Sequence, residues 1–442
     1  MFCRSLSSRN VRVPPTPCES IAPHALSVIT RLEHGQRPGV DPKNLRERAD
    51  RGTFFFEVTL KEKEATHFKW LNRHPWAARI LLVCVSLVGT VAVAELILRA
   101  SGSFSLGVER TIRLREHNPE SLRYLPFSHT NAPELSGRSY RLRIDTNGFI
   151  MPGAPHRNPD VSVVFLGGST TECLHMDDDH RFPCQVGSLI EVRSGLAVNS
   201  YNGGMAGNHS LHSIDGLLNK VLPLEPEVVV MMHNINDFVT LLHHRSYWNE
   251  SPTRSVLEVI GSYHAFRAVK NLLIPNLFEK IRSLRQKTPD EFNRVRGRKA
   301  VIDQAWMAGQ FEANLQIFID VCRAREITPV LMTQQSRFKE DPDPEVEAET
   351  SILATRNGVD YATFRQLHIL FNDRIRAVGT KNDVEVIDLA ALVPQEREFI
   401  YGTVHLNQRG SDFASSIIAD RLTPLMLPSS DATDTGTDAD VP

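Results

Sequence analysis

Five short apolar runs constrain the fold of this 442-residue chain more than any other feature. They are "VSVVFLGG", "LAVNSYNGG", "EVVVMMHN", "TPVLMTQQ" and "VEVIDLAAL", and they recur between Val161 and Leu392. Helical patterns such as "AWMAGQFEANLQIFIDVCRARE" and "YATFRQLHILFNDRIRAVG" separate them. Strands that are apolar on both faces and alternate with helices indicate a parallel sheet that is covered on both sides. We therefore expect an α/β fold, a three-layer α/β/α sandwich around a mainly parallel, flavodoxin-like, five-stranded sheet.

A longer apolar segment lies upstream of these runs. It is uninterrupted from Ile80 to Ala94 and continues after Glu95, so that residues 76–98 reach the length of about 20 residues that a bilayer core demands. A buried core helix is the alternative, but such a helix normally carries a polar stripe, and this segment has none. We expect one transmembrane helix over 76–98. Because the basic residues nearest to it lie mostly on its N-terminal side, we expect the domain that follows to be extracytoplasmic, either periplasmic or extracellular.

The rest of the chain divides by composition and periodicity. Its N-terminal residues are polar and contain prolines, and its last residues are acidic and low in complexity, so both ends are predicted to be disordered tails. Before the first strand, "YRLRIDTNGFIMPG" predicts a short hairpin or an edge strand that leads into the main domain. We expect a tail over 1–60, a juxtamembrane segment over 99–160, the α/β domain over 161–425 with an insertion or cap over 238–300, and a tail over 426–442.

Composition excludes several classes of function. A formal net charge of −2 argues against nucleic acid as a partner, because phosphate binding requires a basic surface. The six cysteines form no CxxC pair, so neither a zinc site nor a dense disulfide framework is indicated. Cys173 and Cys184 could form a bridge or could be two independent thiols. The stretch "HMDDDH" (175–180) is interpreted as an exposed acidic loop, and we expect no metal and no cofactor.

Functional residues of a parallel sheet gather at the carboxyl ends of its strands. The first three apolar runs are followed by "GGSTTE", "NGGMAG" and "NIND", and "YGTVHLN" comes near the last helix. None of these has the lysine of a P-loop or the spacing of a dinucleotide fingerprint. The pattern favours a nucleophile instead: Ser169 lies on a tight strand-to-helix turn, where backbone N–H groups can hold an oxyanion, and His405 can act as its general base.

These four blocks, in this order, resemble those of the SGNH hydrolases, also called GDSL-type esterases and lipases. The resemblance covers about residues 140–425. Two positions depart from the usual pattern, since Gly168 replaces an aspartate and Asn234 replaces a glycine. The resemblance implies Ser169 as nucleophile and backbone oxyanion donor, Gly204 as a second backbone donor, Asn236 as a side-chain donor and His405 as the base.

A third departure affects the base itself. The family reads DxxH, but the position three residues before His405 is Gly402. Three explanations are open. A backbone carbonyl orients His405 and leaves a Ser–His dyad, Glu396 or Glu398 supplies a substitute carboxylate, or the site is weakened or inactive.

The function implied by this resemblance is that of a membrane-anchored serine esterase. It would hydrolyse O-acetyl or other short acyl esters through an acyl-enzyme, with an acylated glycan or a lipid as substrate. Two alternatives are open: an O-acyltransferase that acts on cell-envelope polysaccharide, and a catalytically silent carbohydrate-binding module. Fold alone does not decide between them.

Overall fold

The computed structural model describes residues 74–100, 109–127, 137–249, 251, 254–260 and 300–427. The predicted N-terminal tail, most of the predicted insertion and nearly all of the C-terminal tail lie outside these described residues. The chain separates into two compact units, Met1–Ser105 and Leu106–Pro442.

The described part of the first unit is the helix α1 (Pro75–Ala100). Its stretch Pro75–Ala94 has a mean hydropathy of 2.2, and none of it is buried. Large apolar side chains such as Leu82, Val88 and Leu96 are exposed all around the helix. Among the described helices, α1 alone is long and apolar enough to cross a bilayer. A membrane span over 76–98 stays a prediction that this helix is compatible with.

The second unit contains all the remaining described elements. Its strands are β1 (Glu109–Ile112), β2 (Leu122–Pro126), β3 (Ser139–Arg143), β4 (Val161–Gly167), β5 (Val198–Asn202), β6 (Val228–Met232), β7 (Leu257–Ile260), β8 (Thr328–Met332), β9 (Val386–Ile387), β10 (Ile400–Tyr401) and β11 (His405–Leu406). Its α-helices are α2 (Ser169–Glu172), α3 (Phe182–Ser194), α4 (Ser210–Gly216), α5 (Ile235–His244), α6 (Gln304–Arg323), α7 (Pro344–Asn357), α8 (Tyr361–Asn382), α9 (Leu389–Leu392) and α10 (Gln408–Met426).

The five predicted apolar runs form the main sheet. Its strand order is β5-β4-β6-β8-β9, and every neighbouring pair is parallel. Numbered among themselves these strands run 2-1-3-4-5, which is the doubly wound order of flavodoxin. The prediction of a parallel five-stranded sheet is therefore confirmed.

Helices cover both faces of this sheet. All of β4 is buried, and its side chains alternate between two separate cores: Val164 and Leu166 belong to one, Val163 and Phe165 to the other. The first core contains apolar residues of α4, α5, α6 and α8, and the second contains those of α3 and α10. Each large side chain buried in this way stabilises the fold by about 1.5–3 kcal/mol. The two cores account for the three layers.

The stretch predicted to form a hairpin contributes β3, whose antiparallel partner is the upstream strand β2. Across its Asn147-Gly148 turn the structure has the isolated bridge between Ile144 and Ile150. The chain turns at Asp145, whose carboxylate accepts the N–H groups of Asn147 and Phe149 at 2.8 Å. The N–H of Ile150 next donates to the carbonyl of Asn202 at 3.0 Å, at the end of β5. This bond fixes the hairpin beside the carboxyl edge of the sheet. In the described part of the insertion, β7 pairs antiparallel with β1.

Candidate active site

Ser169 begins the single-turn helix α2 directly after the central strand β4. The residues before it are glycines because neighbouring groups leave no space for side chains. A Cβ on Gly167 would collide with the Thr171 side chain, and a Cβ on Gly168 would lie within 3.0 Å of Asn236 Nδ2. The turn therefore brings the Ser169 backbone beside the Asn236 amide. As the first residue of α2, Ser169 has a backbone N–H with no intrahelical acceptor.

The structure brings Ser169 and His405 together, although 236 positions separate them. His405 Nε2 lies 2.9 Å from Ser169 Oγ. The ring of Tyr401 stacks on the His405 ring, with 5.3 Å between centroids and 19° between planes. The Tyr401 hydroxyl is in turn 3.2 Å from His175 Nδ1. These contacts restrict the His405 imidazole at the distance needed for proton transfer from the serine.

The β10–β11 hairpin that carries His405 is anchored from the segment after β8. Arg337 donates its backbone N–H to the carbonyl of Thr403 at 2.8 Å and its Nη1 to the carbonyl of Gly402 at 3.2 Å. Gln335 Nε2 donates to the carbonyl of Val404 at 2.8 Å. The hairpin tip is thus hydrogen-bonded to the carboxyl edge of the sheet.

Ser169 and His405 open into a cavity of about 290 Å³. Its apolar and aromatic wall includes Phe127 from the end of β2, Leu174 and the stacked Tyr401. Two carboxylate side chains of the described residues also line it, those of Glu172 and Glu349. The Glu172 carboxylate is buried and lies 2.9 Å from His117 Nε2.

The Asn236 side chain is fixed in one orientation. Arg254 Nη1 donates to Asn236 Oδ1 at 2.6 Å, and Asn236 Nδ2 donates to the carbonyl of Asn208 at 2.8 Å. A guanidinium group can only donate, so the oxygen of the amide must face Arg254. One Nδ2 hydrogen is used by Asn208, and the second is available at the Ser169 turn. Arg254 belongs to the segment that the sequence identified only as an insertion, and no local motif marks its role.

The role predicted for Gly204, a backbone donor to the oxyanion, requires a correction. Its N–H donates to the side-chain oxygen of Asn202 at 2.9 Å, and the residue lines a separate cavity with Arg115 rather than the one at Ser169. A Cβ at position 204 would overlap the backbone of Thr171 and Glu172. The glycine is therefore required for the close approach of its loop to α2, and the structure does not bring its N–H into the site.

The same loop presents another amide, which sequence reasoning missed. The N–H of Asn208 bonds the carbonyl of Met205 at 3.0 Å and closes a turn in which Gly207 has φ +81°. Arg115 Nη2 donates to the carbonyl of Ala206 at 3.1 Å. In a trans peptide N–H and C=O point in opposite directions, so the Gly207 N–H points away from Arg115. Within the described part of the chain, this N–H has no acceptor. The positive φ expected of a turn glycine is the only sequence signal for it.

Glu396 and Glu398, the predicted substitute acids, lie elsewhere. Glu396 is 3.1 Å from Lys339 Nζ, and Glu398 is 2.5 Å from an Arg409 nitrogen. Their side chains are 61% and 54% exposed, and neither lines the cavity. The interpretation of either residue as the orienting acid is therefore corrected.

A buried polar cluster supports Asn236 from behind. The Asp237 carboxylate accepts hydrogen bonds from Ser210 Oγ at 2.5 Å and from the Tyr247 hydroxyl at 2.7 Å. Burial raises the pKa of Asp237 to about 6, although these hydrogen bonds oppose the shift. The cluster joins the first turns of α4 and α5, and so it fixes the backbone on which Asn236 stands.

The stretch "HMDDDH" also differs from its interpretation as an exposed loop. Asp178 is buried and accepts hydrogen bonds from Arg141 and Arg143 at 2.8 Å and from Arg181 at 2.7 Å. Burial would raise the pKa of Asp178, but the hydrogen bonds from Arg143 and Arg181 lower it overall. This carboxylate ties the hairpin to the start of α3. Among the described residues, no three His, Cys, Asp or Glu side chains are grouped as metal ligands.

Cys173 and Cys184 are both free thiols in the structure. Burial raises the pKa of Cys173 to about 12 and that of Cys184 to about 11. Because the thiolate is the reactive form, neither group is activated as a nucleophile.

Comparison with known proteins gives matches among solved structures. No protein-family model matches the chain, and no curated protein matches its sequence. The chain is similar to Axe2, an acetylxylan esterase from Geobacillus stearothermophilus, with 14% identity, a TM-score of 0.34 and coverage of 62% of this chain and 95% of the other. It is similar to a GDSL-like lipase from Bacteroides thetaiotaomicron with 14% identity and a TM-score of 0.34, over 61% of this chain and 90% of the other. It is also similar to a lipase/acylhydrolase from Enterococcus faecalis with 15% identity and a TM-score of 0.34, over 60% of this chain and 96% of the other. Similarities of this extent assign neither an activity nor a substrate to the chain.

Proposed function

We propose that this protein is a serine esterase of the SGNH type, anchored to a membrane by α1, that hydrolyses O-acetyl or other short acyl esters. One observation carries the proposal: Ser169 Oγ lies 2.9 Å from His405 Nε2 inside a cavity. A nucleophile and a base within hydrogen-bonding distance, beside backbone and amide donors, form the arrangement that acyl transfer requires.

The first half of the reaction forms an acyl-enzyme. Ser169 Oγ attacks the ester carbonyl carbon while His405 Nε2 takes its proton. The carbonyl oxygen becomes an oxyanion, which accepts hydrogen bonds from the Ser169 N–H, the second Asn236 Nδ2 hydrogen and the Gly207 N–H. When the tetrahedral intermediate collapses, the ester C–O bond breaks and the alcohol leaves with the proton from His405.

The second half releases the acid. A water molecule gives a proton to His405 Nε2 and attacks the acyl carbon. The same donors stabilise the second oxyanion. Its collapse breaks the bond to Ser169 Oγ, which takes the proton back from His405, so that the carboxylic acid leaves and the enzyme is restored.

The cavity supports a short acyl group. Its volume is about 290 Å³, and Phe127, Leu174 and Tyr401 form apolar walls beside the serine. This volume is at the lower end of the range for pockets that hold small ligands. It fits an acetyl group together with part of the alcohol to which it is esterified. We infer that the alcohol is an extracytoplasmic glycan or lipid, in keeping with the predicted anchor.

The test is hydrolysis of p-nitrophenyl acetate by the full chain in detergent micelles. We expect a Ser169-dependent burst followed by turnover, and loss of both in the Ser169→Ala and His405→Ala variants. A burst followed by slow turnover, accelerated by a glycan acceptor, would show that the protein is an acyltransferase and not an esterase. No burst, together with no labelling of Ser169 by a fluorophosphonate, would identify a silent binding module and overturn the proposal.

A further inference from the structure

We propose that Glu349, on helix α7, is the positioning residue that orients His405 in place of the missing aspartate at position 402. This inference rests on the proposed function, because it assigns a partner to the base of that reaction. No local motif connects Glu349 to His405, since 56 positions separate them.

The first observation is the position of the Glu349 carboxylate relative to Gly402. A Cβ built on Gly402 would lie 3.4 Å from Glu349 Oε2 and 4.0 Å from Oε1. The Glu349 carboxylate therefore lies within contact distance of the point where a side chain at 402 would begin. The glycine leaves the space beside it free for a side chain from another element.

The second observation is that both groups face the same interior. Glu349, Gly402, Ser169 and His405 all line the one cavity. Burial raises the pKa of the Tyr401 hydroxyl, and the negative charge of Glu349 is among the causes that raise it further. Tyr401 stacks on His405, so the charge of Glu349 acts at the ring next to the base.

The third observation is that a buried cation ties α7 to the hairpin of His405. Arg337 is 2% exposed and donates to the carbonyl of Gly402 at 3.2 Å. The same guanidinium donates to Asp343 Oδ2 at 2.7 Å and lies 3.5 Å from Glu345 Oε1. Residues four apart share one face of a helix, so Glu345 and Glu349 lie on the same side of α7. Arg337 thus fixes the distance between the face of α7 that carries Glu349 and the tip of the hairpin.

The other carboxylates near the site make contacts away from His405. Glu172 lines the cavity but is paired with His117 at 2.9 Å. Glu396 and Glu398 are exposed and paired with Lys339 and Arg409. Glu349 is the carboxylate that lies both beside Gly402 and in the cavity of His405. As the positioning residue it would favour the tautomer with Nδ1 protonated, which keeps the Nε2 lone pair towards Ser169, and it would stabilise the imidazolium formed in each half-reaction.

The test is the Glu349→Gln variant of the full chain in detergent, with p-nitrophenyl acetate as substrate. We expect kcat to fall by up to about 10⁴-fold, the loss seen when the orienting acid of a serine-protease triad becomes an amide, with a much smaller change in KM. We also expect the acidic limb of the kcat/KM profile to move to lower pH, because the charge that favours the protonated imidazole is gone. Glu347→Gln, an exposed position on the same helix, is the matched control and should behave as wild type.

A rescue variant separates positioning from a merely structural role. Gly402 has φ +58°, a conformation that aspartate tolerates better than most residues. Glu349→Ala combined with Gly402→Asp should therefore regain kcat and the wild-type acidic limb relative to Glu349→Ala alone. Ser169-dependent activity that stays unchanged in kcat and in its acidic limb in Glu349→Gln would overturn this inference and leave the esterase intact. Absence of Ser169-dependent turnover in the wild type would overturn the proposed function itself. If the double variant fails to fold, the Glu349→Gln profile decides alone.

Discussion

A single methyl group at position 168 should disable the oxyanion site. The Cβ of a Gly168→Ala variant would lie within 3.0 Å of Asn236 Nδ2, where real Cβ atoms essentially never occur, so the amide must retreat by several tenths of an ångström. Asn236 cannot retreat freely, because Arg254 and the carbonyl of Asn208 hold its two ends at 2.6 and 2.8 Å. The variant therefore either displaces a donor or strains the turn that carries Ser169.

The expected size of the effect follows from the loss of one oxyanion donor. Such a loss lowers kcat by about 10²- to 10³-fold and leaves substrate binding nearly unchanged. Overpacking would also lower the free energy of unfolding by about 1–3 kcal/mol. The assay measures kcat and KM for p-nitrophenyl acetate, with thermal unfolding in parallel.

The control is Gly309→Ala, since a Cβ at this exposed position on α6 would meet nothing within 4 Å. It should leave kcat unchanged and should not destabilise the protein, because alanine suits a helix better than glycine. If Gly168→Ala kept kcat within about threefold of wild type, against the 10²-fold loss expected here, Asn236 would not be an oxyanion donor.

Three further predictions concern the groups around this site. Arg254→Met removes a charge-assisted hydrogen bond worth about 1.5–3 kcal/mol, so kcat should fall by about tenfold or more while KM stays near wild type. A change of the same size in KM, with kcat unchanged, would contradict the orienting role. Asn236→Ala and the Arg254→Met/Asn236→Ala double variant should have the same kcat, as a double-mutant cycle can establish, because Arg254 acts through Asn236; additive losses would show an independent role. Asp237→Asn should change the pH dependence of stability. The folded-state pKa of Asp237 is raised to about 6, so between about pH 4 and pH 6 the folded state binds the proton more tightly and the wild type loses stability as pH rises. The difference in free energy of unfolding between wild type and Asp237→Asn should change with pH by about 1.4 kcal/mol per unit, as measured by chemical denaturation. Parallel plots of unfolding free energy against pH for the two proteins would refute the prediction.

The sheet could be predicted from sequence because its strands are apolar on both faces. Each run, such as Val161–Gly167, is too short for a helix and too continuous for a half-exposed strand, which leaves a buried parallel strand. The position of Ser169 followed from the same reasoning, because it comes directly after the first of these strands. His405 lies on the separate β10–β11 hairpin, and it was identified from the order of the four sequence blocks. Periodicity and strand direction thus predicted the fold and the place of Ser169, and the block order predicted its pairing with His405.

The loop 202–207 shows where such reasoning fails. "NGGMAG" contains three glycines, and the direction of each N–H depends on the turn that the loop adopts. The Asn202 side chain accepts the N–H of Gly204. Arg115 donates to the carbonyl of Ala206, so the N–H of the same peptide, which belongs to Gly207, points away from Arg115. Both partners act through tertiary contacts or local side-chain competition, and neither is visible in a residue pattern.

Glycine replaces aspartate at positions 168 and 402, and a polar side chain from another helix lies beside each of the two glycines. At position 168 the space beside the glycine holds the Asn236 amide, and at position 402 it holds the Glu349 carboxylate. At position 168 a Cβ would collide with that amide, whereas at position 402 a Cβ would only touch the carboxylate at 3.4 Å, and there the positive φ of 58° is what favours glycine. The orienting acid can therefore move from the hairpin to α7 without leaving a void, because Arg337 fixes both elements to each other. A glycine at the DxxH position is for this reason compatible with a working site, since in the proposed arrangement Glu349, 56 positions before His405, supplies the carboxylate.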